Sequence, residues 1–84
     1  MMWSVYIILC YDDSLYTGIT TDVQRRFMQH QQQKGAKYFR IHRPLRLIFV
    51  EGGHSRSSAL TREASIKRLS RQQKLAWLKE LRLI

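Results

Sequence analysis

A small α+β domain with the order ββαβαα, a three-stranded antiparallel sheet flanked by about three helices, is the fold the sequence predicts. Three observations predict it. A β-branched and aromatic run from Trp3 to Tyr11 breaks at Asp12-Asp13-Ser14 and resumes from Leu15 to Thr20, which reads as a hairpin. A second such run covers Leu45 to Glu51, and two Ser/Thr-x-x-Gln signatures open segments of helical period. Eighty-four residues suit one domain, 1–84, and exclude a multidomain machine, while 44% apolar residues exclude a disordered chain.

The elements follow in order. In the first run Trp3, Val5, Ile7 and Leu9 make one apolar face, and Tyr6, Ile8 and Cys10 make the other apolar too, as expected of a central strand. A three-residue loop, Tyr11 to Asp13, with Asp13 at positive φ, pairs Cys10 with Ser14 and sets Tyr6 opposite Gly18, leaving space above the Tyr6 ring. Thr21 and Gln24 form a capping box for a helix from about Asp22 to Gln33, which Lys34-Gly35 ends. The next residues are basic and irregular until Pro44, which cannot donate to a central ladder. Leu45 to Glu51 is the third strand, closed by Gly52-Gly53. Ser57 or Ser58 caps a second helix to about Leu69, and the Ser70/Gln73 box opens a third through Trp77, Leu78 and Leu81.

Fifteen Lys and Arg against six Asp and Glu leave a net charge of +9, which attracts a polyanion such as nucleic acid or an anionic membrane. The charge is uneven: residues 1–33 carry −1 and residues 34–84 carry +10. Lys34, Lys37, Arg40, Arg43 and Arg46 recur every third residue with Tyr38 and Phe39 interleaved. Such a loop suits a phosphate backbone and stacked bases; a solvated loop with both aromatics folded into the core fits the pattern equally. One cysteine, Cys10, excludes a disulfide scaffold and a zinc finger and reads as a buried thiol. The run from Trp3 to Tyr11 is too short to span a membrane and lacks a signal peptide's basic segment, so a cytoplasmic protein without membrane contact is expected.

Several side chains have the makings of a site. Glu63 has Ala59, Leu60, Ile66 and Lys67 as helical neighbours, on or beside the apolar stripe. An unpaired carboxylate there is costly, so either Lys67 pairs with it or it faces a cleft and holds a cation. Arg26 and His30 share one helical face, as a site pair or as a solvated cation and a histidine at the core margin. Tyr6 and Tyr16 project to the same sheet face if the hairpin loop has an odd number of residues. Trp77, Leu81 and Ile84 recur at helical spacing, as core or as a dimer or partner surface on the C-terminal helix.

Ser4-Val5-Tyr6, then Tyr16-Thr17-Gly18 with ten residues from Tyr6 to Tyr16, then Arg26, His30 and Glu63 in that order, resemble the GIY-YIG nuclease domain. The likeness covers essentially the whole chain and is closest to the short stand-alone bacterial members, through Leu15 to Asp22, Gly35-Ala36-Lys37-Tyr38 and Ala64 to Lys74. Ser4, Val5 and Thr17 depart from the two triplets without removing a reacting group. The resemblance implies active-site roles for Tyr6, Tyr16, Arg26, His30 and Glu63, and one divalent ion, Mg²⁺ or Mn²⁺, at Glu63. It also implies a nucleic-acid substrate. DNA is the expected one, with Lys34, Lys37, Tyr38, Arg40, Arg43 and Lys67 along its path and a use in repair or recombination. Tyr6 is the candidate base or water-positioning group; an unperturbed pKa of ~10 requires that Arg26 or the metal lower it, or that it relay its proton to His30. The alternative is a non-catalytic DNA- or RNA-binding module that keeps the fold.

Overall fold

Strand β1 (Trp3–Cys10) lies between β2 (Leu15–Thr20) and β3 (Pro44–His54), antiparallel to both, as its two apolar faces require. The structure is a computed structural model that describes all residues, 1–84. Cys10 N–H donates to Ser14 O at 2.9 Å and Asp13 has φ 66°, so the three-residue turn forms as expected. The register that follows puts Tyr6 opposite Gly18 and Ile8 opposite Tyr16.

Each face of β1 builds its own core. Val5 and Ile7 pack with Ile48, Phe49, Ala59, Ile66 and Leu78, under helices α2 (Arg56–Lys67) and α3 (Arg71–Glu80). Tyr6, Ile8 and Cys10 pack with Phe39 and, at the margin, Tyr16, Val23 and Phe27. Helix α1 (Val23–Gln31) and a 3₁₀ turn, Lys37–Arg40, cover this second face. A register slip between Ile7 and Ile8 makes Ile48 an extra residue, so Ile48 and Phe49 both join the first core. No helix is long and apolar enough to cross a membrane.

Four boundaries differ from the sequence reading. Helix α1 is capped by Asp22, not Thr21: the carboxylate accepts the Arg25 N–H at 3.1 Å, while Thr20 Oγ1 accepts the Asp22 N–H. Its end is a Schellman turn on Gln33 at φ 61°, closed by Lys34 N–H to Gln29 O and Gln33 N–H to His30 O. Ser55, not Ser57 or Ser58, caps α2, and its hydroxyl accepts the Ser58 N–H at 3.1 Å. Strand β3 runs through Gly52-Gly53 to His54, because Gly53 at φ 78° absorbs a bulge that keeps the chain on the sheet edge. The Ser70/Gln73 box of α3 forms as read, and Pro44 opens an edge strand where its missing N–H is tolerated.

Candidate nuclease site

Tyr6, Tyr16 and His30 meet on the α1 face of the sheet. The Tyr6 hydroxyl lies 2.8 Å from His30 Nε2, and the Tyr16 ring is centred 6.2 Å from Tyr6 and 5.4 Å from His30. Phe39 closes the cluster, 4.3 Å from the imidazole and 4.7 Å from Tyr16. Two glycines admit this packing. A Cβ on Gly18 would sit 2.6 Å from the Tyr6 oxygen, and one on Gly35 would sit 2.1 Å from His30 Nδ1. Gly35 thus makes room for the imidazole and does not end α1, and the sequence reading missed this role because the close approach is tertiary.

The electrostatics bear directly on the expected role of Tyr6. Burial, with Tyr16 second, pushes its phenol well above the ordinary range; Arg26 opposes the shift and Glu63 adds to it slightly. His30 is fully buried, and burial followed by the Arg26 charge lowers it to about 4, so it is neutral at pH 7. Its Nδ1 accepts the Ala36 N–H at 3.4 Å. The Ala36 N–H at Nδ1 favours the tautomer with its proton on Nε2, which donates to the Tyr6 oxygen. Arg26 by itself does not bring the phenol below its ordinary value, which leaves that task to the metal, and in this tautomer Nε2 has no lone pair with which to take the proton. What Tyr6 offers is a neutral hydroxyl whose oxygen faces His30 and Arg26.

Arg26 stands one helical turn before His30, half-buried, its Nη1 donating to Gln29 Oε1 at 3.1 Å and with no carboxylate partner. Gln29, passed over in the sequence, therefore aims the guanidinium. Glu63 comes from the other helix layer. Its neighbours Ala59 and Ile66 are buried, so its largely buried carboxylate shares their face of α2, and Lys67 Nζ lies 3.4 Å away. The ion pair expected from the spacing is formed. A pair with so exposed a lysine contributes only ~0.2–1 kcal/mol, so Lys67 is readily exchanged for another cation. No three His, Cys, Asp or Glu side chains cluster, which suits neither zinc nor calcium. One hard carboxylate does suit Mg²⁺ or Mn²⁺, ions that keep waters and take further oxygens from phosphate.

The basic loop is partly as expected. Lys34, Lys37, Arg40 and Arg43 are exposed, and Arg43 lies over the Tyr11 ring at 5.5 Å. Tyr38 is partly buried: His42 stacks on it at 4.2 Å, and Tyr16 and Phe39 flank it at 5.4 and 5.5 Å. Both loop aromatics are folded inward, and Phe39 is wholly buried. Of the C-terminal apolar residues Trp77 packs on Phe49, whereas Leu81 and Ile84 stay largely exposed and Leu78 is the core residue.

Known proteins carry the same arrangement of elements. The family model of the GIY-YIG catalytic domain matches residues 2–76. A UPF0213 protein of Cupriavidus pinatubonensis is 49% identical over 79 residues, 94% of this chain and 88% of its own. Another, from Staphylococcus haemolyticus, is 50% identical over 76 residues, 90% and 93% of the two chains. The solution NMR structure of a UPF0213 protein from Bacillus halodurans aligns with a TM-score of 0.61 at 43% identity, over 94% of this chain and 84% of that one. That of an E. faecalis protein aligns at 0.65 and 38%, over 100% and 90%. With a ββαβαα fold, two tyrosine triplets side by side and a family match over nearly its full length, the chain belongs to the GIY-YIG family, among its short UPF0213 members.

Proposed function

We propose that this protein is a divalent-metal-dependent endonuclease that hydrolyses phosphodiester bonds in DNA, selecting structure over sequence, as repair or recombination requires. The observation that carries the reading is the contact of the Tyr6 hydroxyl with His30, beside Tyr16 and one turn from an Arg26 that has no acidic partner. The Arg26 guanidinium binds two phosphoryl oxygens at once and meets the charge that grows on them in the transition state. Tyr6 positions the attacking water through its neutral hydroxyl. His30 holds that phenol in place and stays neutral. Tyr16 lies on the same face beside Tyr6 and His30, as a second hydroxyl for the phosphate. Glu63 is the residue to hold Mg²⁺ or Mn²⁺, which when bound supplies Lewis-acid charge for the phosphate. The small domain has little surface for reading a long site, which favours backbone contacts over base readout.

A second reading, a nucleic-acid-binding module without turnover, is favoured by the burial of Tyr6 and by the Glu63–Lys67 pair. One experiment separates the two. Purified protein is incubated with branched, flapped, single-stranded and duplex DNA in Mg²⁺ or Mn²⁺, beside Glu63→Ala and Arg26→Ala. Cleavage that both substitutions abolish supports the nuclease; binding without cleavage, or cleavage untouched by Glu63→Ala, overturns the assigned mechanism.

A further inference from the structure

Arg26 belongs to a second feature, a groove of about 300 Å³. Trp3 and Ile19 form its apolar wall, and Thr20, Thr21 and Asp22 supply hydroxyls and a carboxylate. Arg25 and Arg26 bring two cations, neither with an acidic partner. The volume is at the small end for a ligand site, right for one nucleotide-sized group. An aromatic wall beside paired cations is the chemistry that holds a base and its phosphate together.

We propose that this groove is a nucleoside subsite, which seats the nucleotide next to the cleaved phosphate. The inference rests on the nuclease reading and deepens it by naming a point on the substrate path. Orientation follows from the charges. Asp22 uses one carboxylate oxygen to cap α1 through the Arg25 N–H, and its negative charge repels phosphate at that end. The phosphate therefore lies on the Arg26 side and the base lies towards Trp3, where the carboxylate and the Thr21 hydroxyl meet polar base edges; Thr20 spends its hydroxyl on the Asp22 backbone. The Arg56 guanidinium lies 5.9 Å from the Trp3 ring centre, so the indole already meets a cation.

The test uses Trp3 as the reporter. Trp77→Phe leaves Trp3 the sole tryptophan emitter, and EDTA removes metal so that nothing is cleaved. A thymidine trinucleotide should quench Trp3 saturably, and inorganic phosphate at the same concentration should not. Trp3→Leu should weaken a labelled trinucleotide at least tenfold in fluorescence anisotropy, while Trp3→Phe, which keeps a ring, should stay within about threefold of the parent. Thr21 is exposed, so Thr21→Glu tests the groove without a buried change; it should weaken binding at least fivefold, and the charge-matched Gln72→Glu on α3 should not. Should Trp3→Leu fail to fold by circular dichroism, the Thr21 and Gln72 pair decides. Equal weakening by those two, or quenching by phosphate alone, overturns the subsite. A chain that shows the quench but never cleaves DNA sinks the nuclease reading and leaves the subsite standing; one that cleaves without the quench does the reverse.

Discussion

Gly35 shows how one residue without a side chain serves another. Its missing Cβ leaves the space that His30 Nδ1 occupies, so Gly35→Ala must push the imidazole off Tyr6 or displace the loop. Overpacking of this kind costs about 1–3 kcal/mol, to be read from urea unfolding, and the His30 ring resonances should shift with it. His30 itself sets a pH dependence. Its folded pKa of about 4 lies below the ordinary 6.5, so between those values the unfolded chain binds more protons. The full stability is present above pH 6.5 and falls as pH drops towards 4, by on the order of 3 kcal/mol. Unfolding at pH 7 and pH 4.5 measures the loss, and His30→Gln should flatten it. Asp12, held at about 2 by Ser14 and then His42, titrates below that window. Thr17 is the converse case: its buried hydroxyl has no partner, on the face where Ile7 packs, so Thr17→Val should stabilise by about 1 kcal/mol.

At the scale of the element, the capping residues decide where the helices begin and hence where Glu63 points. Ser55 caps α2, and Ser57 does not. Ser55→Ala should therefore cost about 1 kcal/mol in thermal or urea unfolding, and Ser57→Ala less than about 0.5. The cap starts α2 where Glu51 can join it to β3: the carboxylate accepts from Arg62 Nε at 3.1 Å and contacts His54 Nε2 at 2.8 Å. On the other face the Schellman turn at Gln33 returns the chain so that Gly35 and Ala36 meet the His30 ring. A glutamine in the left-handed region is hard to foresee, since glycine is the usual occupant.

Across the whole molecule the charge is uneven: residues 1–33 are nearly neutral and residues 34–84 strongly basic. If the loop from Lys34 to Arg46 tracks a phosphate backbone, affinity for duplex DNA falls with salt at a slope of roughly −0.9 per phosphate contact. Lys37 and Arg40 are exposed on the 3₁₀ turn. Replacing both with Ala should weaken binding to all sequences alike and make the slope shallower by up to about two. Lys79 and Arg82, exposed at the C-terminal end, should change it less when replaced together. Equal slopes for the two double mutants would remove the loop from the binding path.

From the sequence alone came the central strand, the hairpin register, the Ser70 cap and the two pairs Tyr6 with Tyr16 and Arg26 with His30, because alternation along strands and the four-residue helical repeat are local periodicities; that the pairs share one site was what the family resemblance implied. The pairing of Glu63 with Lys67 was legible for the same reason. Tertiary structure decided which of two locally sensible options each ambiguous residue took. Asp22 and Ser55 won as caps because the chain arrives at each helix in the right direction, and Gly52-Gly53 became a bulge because β1 was there to continue the ladder. It also decided the chemistry of the site. Burial holds Tyr6 as a phenol and His30 as a neutral imidazole, and a desolvation cost depends on what packs around a group, which no spacing along one chain records.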